Sequence, residues 1–184
     1  GEVMDKVAKF FGLGYPGGPI IDRNYPKGRP GSFEFTFPRM SDGSNDLSFS
    51  GYKTAAINYA KDGDLKLNTQ PFYDLCSSFL DSIIQYLLKH VREALPTRQV
   101  KSLLIAGGVS RNARLREVFR KAFDQSEIEL YLPEPQYCTD NGTMVAWLGY
   151  EKFIRFPDEN YFDYSQNVYS RATFRNQDIS NRHK

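Results

Sequence analysis

The segment Ile105-Ala-Gly-Gly-Val-Ser-Arg-Asn112 follows an apolar run and opens an amphipathic one. Gly107 and Gly108 let the backbone come close to a ligand, because no Cβ stands in the way. A helix start just beyond them offers free N–H groups to an anion or a polar ring. Asn112 carries a donor and an acceptor together, which suits a ribose hydroxyl or a base edge. The same residues also make a tight strand-to-helix turn with Asn112 as its cap. Tyr137-Cys-Thr-Asp-Asn-Gly142 ends the next loop. Asp140 in it can cap the helix that follows, or it can ligate a metal or position a water at a strand end. Nearer the start, Tyr15-Pro-Gly-Gly-Pro19 precedes Asp22. Gly18 and its neighbours can present a backbone surface to a ligand, with Asp5 facing the same crevice. A glycine hinge with two solvated carboxylates is the competing reading.

Other chemistries lack their residues. His90 and His183 are far apart and not at metal-ligand spacing. The chain holds no Walker lysine motif, no Gly-x-Ser-x-Gly elbow and no Cys–His pair at zinc spacing. Its two cysteines, Cys76 and Cys138, give no disulfide framework and fit a reducing compartment. Cys76 falls on an apolar helix face and reads as a core residue.

The elements that must position these loops are legible from periodicity. Val3, Met4, Val7, Phe10 and Phe11 mark one face of a short helix that Gly12 and Gly14 end. The Pro-Gly-Gly-Pro run reads as neither helix nor central strand, and residues 22–32 as loop or linker. Phe33, Phe35 and Phe37 alternate with polar residues, as in a half-buried strand. Leu47 to Ser50 reads as a second strand, the two pairing as a hairpin. Gly51 opens a helix through about Lys61. From Phe72 to Leu95 a broad apolar stripe predicts a long core helix, capped near Asn68 or Thr69, with Pro71 in its first turn and Pro96 at its end.

After that helix the pattern is strand, loop, helix, repeated. Ser102 to Ala106 reads as a strand covered on both faces, Ala113 to Phe123 as helix, and Ile128 to Leu132 as a second strand. Gly142 to about Phe156 reads as helix. This predicts an α/β fold with a βαβ unit and ligands beyond the carboxyl ends of its strands. On one rim of that unit, Asn112 and Asp140 would be neighbours.

Bulk properties set wide bounds. The chain has 184 residues, 40% of them hydrophobic, and a formal net charge of +2, so composition does not announce nucleic acid. A mildly basic end (Arg171, Arg175, Arg182, Lys184) is either a solvated tail or an RNA-contacting arm. No run approaches the about 18 apolar residues of a membrane helix. The opening residues already follow a helical pattern without an initiator Met, so a fragment or excised domain is the expectation.

Five blocks, in order, resemble the signature segments of the TsaD family of tRNA adenosine N6-threonylcarbamoyltransferases, formerly described as O-sialoglycoprotein endopeptidases. They are Gly1-Glu-Val-Met-Asp5-Lys6, Tyr15-Pro-Gly-Gly-Pro19, Leu47-Ser-Phe-Ser-Gly51-Tyr-Lys-Thr-Ala55, Ala106-Gly-Gly-Val-Ser-Arg-Asn112 and Cys138-Thr-Asp-Asn-Gly142. The resemblance implies the actin, heat-shock chaperone and sugar kinase (ASKHA) fold, present here mainly as its C-terminal lobe over residues 1–156, with a tail of unassigned structure over 157–184. It implies transfer of a threonylcarbamoyl group from threonylcarbamoyl-adenylate to N6 of adenosine 37 in tRNAs that read ANN codons. It assigns Asp5, Gly18, Asp22 and Asn112 to the adenylate and Asp140 to an iron or zinc ion. The partners it implies are tRNA and, in bacteria, a paralogous actin-fold subunit and a small ATPase. The compartment it implies is the cytoplasm, or the mitochondrion.

This chain departs from the family pattern at Tyr52 for a usual Leu, Val3-Met4 for Ala-Phe, and Thr143 for Ala. The family's other metal ligands, a His pair spaced by three residues in the N-terminal lobe, are not in it, so the isolated chain is expected to be inactive. Two readings from other classes are a non-catalytic nucleotide-binding or scaffold module and another actin-fold ATPase or kinase. The Asp-Asn-Gly block after Gly-Gly-Val-Ser speaks against the latter. Two His residues three apart, encoded upstream, would favour the transferase over the scaffold.

Overall fold

The fold is built around one long helix. The computed structural model describes residues 1–38, 46–97 and 100–157. Helix α4 (Gln70–Ala94) carries the apolar stripe predicted for it, and Phe72, Leu75, Phe79, Leu80, Ile83 and Ile84 are buried. Each such side chain contributes about 1.5–3 kcal/mol by leaving water. Pro71 sits in its first turn and a 3-10 turn, Leu95–Thr97, follows its last. Cys76 is buried in this helix, as its position on the stripe predicts. Around α4 pack α1 (Glu2–Phe10), α2 (Gly17–Asn24), α3 (Ser50–Asp62) and α5 (Ala113–Phe123). No helix among the described residues is long and apolar enough to cross a membrane.

The opposite side of α4 holds buried polar groups that periodicity did not disclose: Asp74, Ser77 and Ser78. Asp74 accepts hydrogen bonds from the Arg29 backbone at 2.8 Å and from Gln70 Nε2 at 2.7 Å. Burial alone would raise its carboxyl, but these bonds and the Arg29 guanidinium hold it below the ordinary value. Ser77 donates to the Tyr25 carbonyl at 2.6 Å, and Ser78 accepts from Phe33 N at 3.2 Å. Residues 25–33 are therefore pinned to α4 rather than strung as a linker.

The Pro-Gly-Gly-Pro run is helical after all: Pro16 occupies the N-cap position, and Gly17, Gly18 and Pro19 form the first turn of α2. A proline fits that turn because its missing N–H has no intrahelical partner to lose. The reason for glycine is close packing. A Cβ at Gly17 would stand 2.5 Å from the Met4 carbonyl oxygen and 2.7 Å from the Ala8 Cβ, both on α1. Gly17→Ala is expected to cost about 1–3 kcal/mol by forcing α1 and α2 apart, read as a lower urea midpoint.

The predicted hairpin is absent. Residues 34–38 and 46–49 form no strand, and the turn expected between them lies largely outside the described residues. Alternation at Phe33, Phe35 and Phe37 instead lays aromatic rings against the helices. Phe35 meets Tyr52, Tyr59 and Phe79 at 5.6–5.9 Å between ring centres, and Phe37 meets Tyr86 at 5.7 Å. The Tyr59 hydroxyl bonds the Glu34 carbonyl at 2.6 Å, so α3 takes the place of a partner strand.

The βαβ unit is present. Strand β1 (Ser102–Leu104) runs parallel to β2 (Glu129–Tyr131), with Leu103 opposite Leu130, and α5 is the crossover. Leu103, Ile105, Ile128 and Leu130 face the core. The expectation of a strand covered on both faces fails, since Leu104 is 66% exposed. Among the residues described within Gly1–Asp140, Leu103 and Leu130 turn to the core while Leu104 and Tyr131 lie on the open face.

By its contacts the chain divides into Gly1–Asp140 and a second unit from Asn141 onward. The described part of the second unit is α6 (Gly142–Arg155), capped by Asn141, whose side chain accepts from Met144 N at 2.9 Å. Trp147, Leu148, Phe153 and Ile154 of this helix are exposed. The basic end, residues 158–184, lies outside the described residues.

Candidate functional site

Four of the five candidate residues are linked through two direct hydrogen bonds and one helix turn. Asp5, half-buried on α1, accepts a 2.7 Å hydrogen bond from Gly17 N. It thereby satisfies one of the N–H groups that a helix start leaves unpaired. The next residue, Gly18, is looser: a Cβ there would meet only Met4 Sδ, at 3.6 Å. One turn later, Asp22 receives 2.8 Å from Asn112 Nδ2, a bond between residues 90 apart in sequence.

Asn112 does both things its chemistry allows. Its oxygen caps α5 by accepting from Leu115 N at 2.8 Å, while its amide nitrogen donates to Asp22. The cap fixes the rotamer, and the rotamer aims the donor. The half-buried Asp22 carboxyl is shifted upward, because burial disfavours its charge more than the Asn112 bond supports it. The folded state thus holds the Asp22 proton more tightly than the unfolded chain. Its contribution is present at low pH and lost as pH rises through the raised value. Asp22→Asn keeps an acceptor for Asn112 and removes the charge. Its melting temperature at neutral pH should equal or exceed that of the native protein, with the gap closing toward about pH 4, where a free Asp protonates.

The loop before Asn112 is shaped by Gly107, whose φ of 89° and ψ of 169° lie in a region essentially closed to other residues. A 3-10 turn, Gly108–Arg111, follows, and Ser110 closes it by donating through N and Oγ to the Gly107 carbonyl at 2.9 and 2.7 Å. A Cβ at Gly107 would meet nothing within 4 Å, so its backbone lies open. A Cβ at Gly108 would find Thr139 Cγ2 at 3.9 Å, so the loops after β1 and β2 lie side by side.

Asp140 ends the second loop. The helix-cap reading of this residue is corrected, because Asn141 occupies the N-cap position of α6. Asp140 is exposed, and its carboxylate receives no hydrogen bond from the described residues. Its oxygens are therefore open to a cation. No group of three His, Cys, Asp or Glu side chains that could hold a metal ion occurs among the described residues. Cys138, two residues earlier, is buried with its thiol donating to the Glu134 carbonyl at 3.4 Å. His90 is half-buried, with Nδ1 3.0 Å from the Tyr86 carbonyl.

Two hollows flank α1. One, of 610 Å3, is lined by residues including Met4, Ser50, Lys53 and Val109; the other, of 480 Å3, includes Asp5, Gly14 and Tyr15. Both fall in the range of about 300–1,000 Å3 usual for small-molecule sites. Neither is lined by Asp22 or Asn112. The hydrogen-bonded chain from Asp5 to Asn112 is the better guide, because it rests on specific polar geometry rather than on empty space.

Sequence reasoning missed one residue of this region. Arg116 is buried on the core face of α5, between Leu115 and Val118, and bonds a carbonyl of each strand-end loop. An arginine inside an apolar stripe was the available signal.

A family model described as TsaD, tRNA N6-adenosine threonylcarbamoyltransferase, matches residues 1–147. Curated relatives carry the same description. The one from Desulfitobacterium hafniense is 38% identical over 168 residues, covering 91% of this chain and 48% of the relative. Those from Ralstonia pickettii and Persephonella marina are 39% and 41% identical, each over 156 residues, covering 81% and 83% of this chain and 44% of each relative. The chain thus spans about half the length of the relatives it matches. All five candidate residues fall inside the matched segment, and the chain belongs to the TsaD family of tRNA N6-adenosine threonylcarbamoyltransferases.

Proposed function

We propose that this chain is the adenylate-binding portion of an enzyme that transfers a threonylcarbamoyl group from threonylcarbamoyl-adenylate to N6 of adenosine 37 in tRNAs reading ANN codons. The observation that carries this reading is the Asp22–Asn112 bond, which joins two polar residues 90 positions apart within the family-matched segment. The second N–H of Asn112 and the second oxygen of Asp22 leave a donor and an acceptor for the ribose and base. Gly18 lets that ligand approach the start of α2, and Asp5 holds that start in place through Gly17 N.

The reaction is acyl transfer. The N6 amine attacks the carbamoyl carbon, the bond to the adenylate phosphate breaks, AMP leaves, and N6 gives up a proton. A bound iron or zinc ion would polarise the carbamoyl carbonyl as a Lewis acid, and the free Asp140 carboxylate fits one of its ligand positions. We place the site within an actin-like fold completed by the rest of the protein. There tRNA, a paralogous actin-fold subunit and a small ATPase are the partners, in the reducing cytoplasm that suits two buried free thiols.

A binding assay tests the adenylate surface. Gly18→Ala in the full-length protein should fold normally, since the new methyl meets only ordinary contact, yet bind AMP at least about tenfold more weakly, a loss of 1.4 kcal/mol. Unchanged AMP affinity would remove Gly18 from the site. Formation of threonylcarbamoyladenosine on tRNA, followed by nucleoside analysis, tests the activity as a whole. A full-length protein that binds AMP but modifies no tRNA would be a scaffold.

A further inference from the structure

Arg116 carries a charge where α5 is otherwise apolar, and it is 8% exposed. A buried guanidinium is costly unless paired or well bonded. No carboxylate among the described residues pairs with it; two backbone carbonyls do. Nη1 donates to the Ser110 carbonyl at 3.0 Å, and Nη2 to the Leu132 carbonyl at 3.3 Å. Those carbonyls belong to different loops. Ser110 lies in the turn that delivers Asn112, and Leu132 directly follows β2, at the start of the loop that ends at Asp140. Arginine suits this place, because its planar fork presents two N–H groups at fixed separation, which lysine does not.

We infer that Arg116 is a positioning residue, a brace that sets the Asp140 loop at a fixed distance from the Asn112 loop. The inference rests on the proposed transferase reading. Asn112 has its own supports, the Leu115 amide and Asp22, so the adenylate surface should survive without the brace. The Asp140 loop has Cys138 bonded only within itself, and Thr139 rests near Gly108. Arg116 adds a side-chain tie just beyond the last backbone bond between the strands, Ile105 N to the Tyr131 carbonyl at 3.0 Å. Misplacing a catalytic group by about 1 Å can cost on the order of 100-fold in rate, so the expected deficit is in turnover, not in adenylate affinity.

The experiment compares Arg116→Met and Arg116→Lys with the native full-length protein. It measures kcat, KM for the adenylate, and the stoichiometry and Kd of AMP. We expect Arg116→Met to lower kcat by about 30- to 100-fold, with AMP stoichiometry and Kd within about twofold. Arg116→Lys, able to donate to these carbonyls without bridging them in a fork, should recover part of that loss while staying at least about fivefold below native. A merely structural role predicts a different pattern, kcat falling in step with the fraction of chains that bind AMP, and that result would overturn the brace. So would native turnover in Arg116→Lys. If Arg116→Met does not fold, Arg116→Lys decides alone: full AMP binding with reduced kcat supports the brace, and any other result rejects it. A native protein that modifies no tRNA while binding AMP refutes the transferase reading instead, before the variants are compared.

Discussion

Asp140→Ala in the full-length protein should abolish tRNA modification while leaving the fold intact. The carboxylate is exposed and receives no hydrogen bond from the described residues. Its removal therefore breaks nothing that holds the chain together, and surface substitutions of this kind usually stay within about 0.5 kcal/mol of native stability. The activity loss should exceed the 10- to 100-fold typical of removing a group that merely supports a metal ligand, because here the proposed ligand itself goes. Asp140→Asn, which keeps an oxygen but not the charge, should bind metal more weakly than native and retain only trace activity. The measurements are modified nucleoside per tRNA, metal content per chain, and the urea midpoint. Full activity in the alanine variant removes the metal role. A large drop in the midpoint would mean that Asp140 is structural.

The second large effect is expected at Asn112, where stability and binding should fall together. Asn112→Ala deletes the α5 cap, worth about 1 kcal/mol, and strips the half-buried Asp22 of its partner, at about 1–3 kcal/mol. The sum, about 2–4 kcal/mol, should appear as a lower urea midpoint at unchanged slope, with AMP binding lost. Asn112→Asp separates the two roles. Aspartate caps a helix as well as asparagine does, so α5 should hold. A second carboxylate would then face Asp22 across the 2.8 Å now spanned by a hydrogen bond, and one of the pair must bind a proton. That variant should regain stability as pH falls toward about 4, the ordinary Asp value. A variant whose stability ignores pH would show that Asp22 and Asn112 do not meet in solution.

How legible was this site? Gly18, Asn112 and Asp140 stand where glycines or an Asx residue break the pattern, whereas Asp5, inside the first helix, and Asp22 drew their assignment from the family resemblance. Helices α4 and α5 were readable for the complementary reason, long 3.6-residue stripes without interruption. The errors have physical causes too. Alternating phenylalanines satisfy a strand, but they equally satisfy a segment laid across helices, and only the aromatic rings of Tyr52, Tyr59 and Tyr86 decide between them. The Pro-Gly-Gly-Pro run was read as a breaker because glycine and proline disfavour helix interiors. The first helical turn is exempt from that rule.

By itself, then, the sequence determined the family, the helices with strong periodicity, the βαβ order, and which side chains are chemically capable. These are properties of local pattern, and local pattern is written along the chain. Tertiary structure alone decided that Asn112 spends its donor on Asp22, that Gly17 serves packing while Gly18 stays open, and that Arg116 bridges two loops. Each of those facts is a distance between separate elements, set by how the helices and strand-end loops close on one core. No spacing along the chain encodes it.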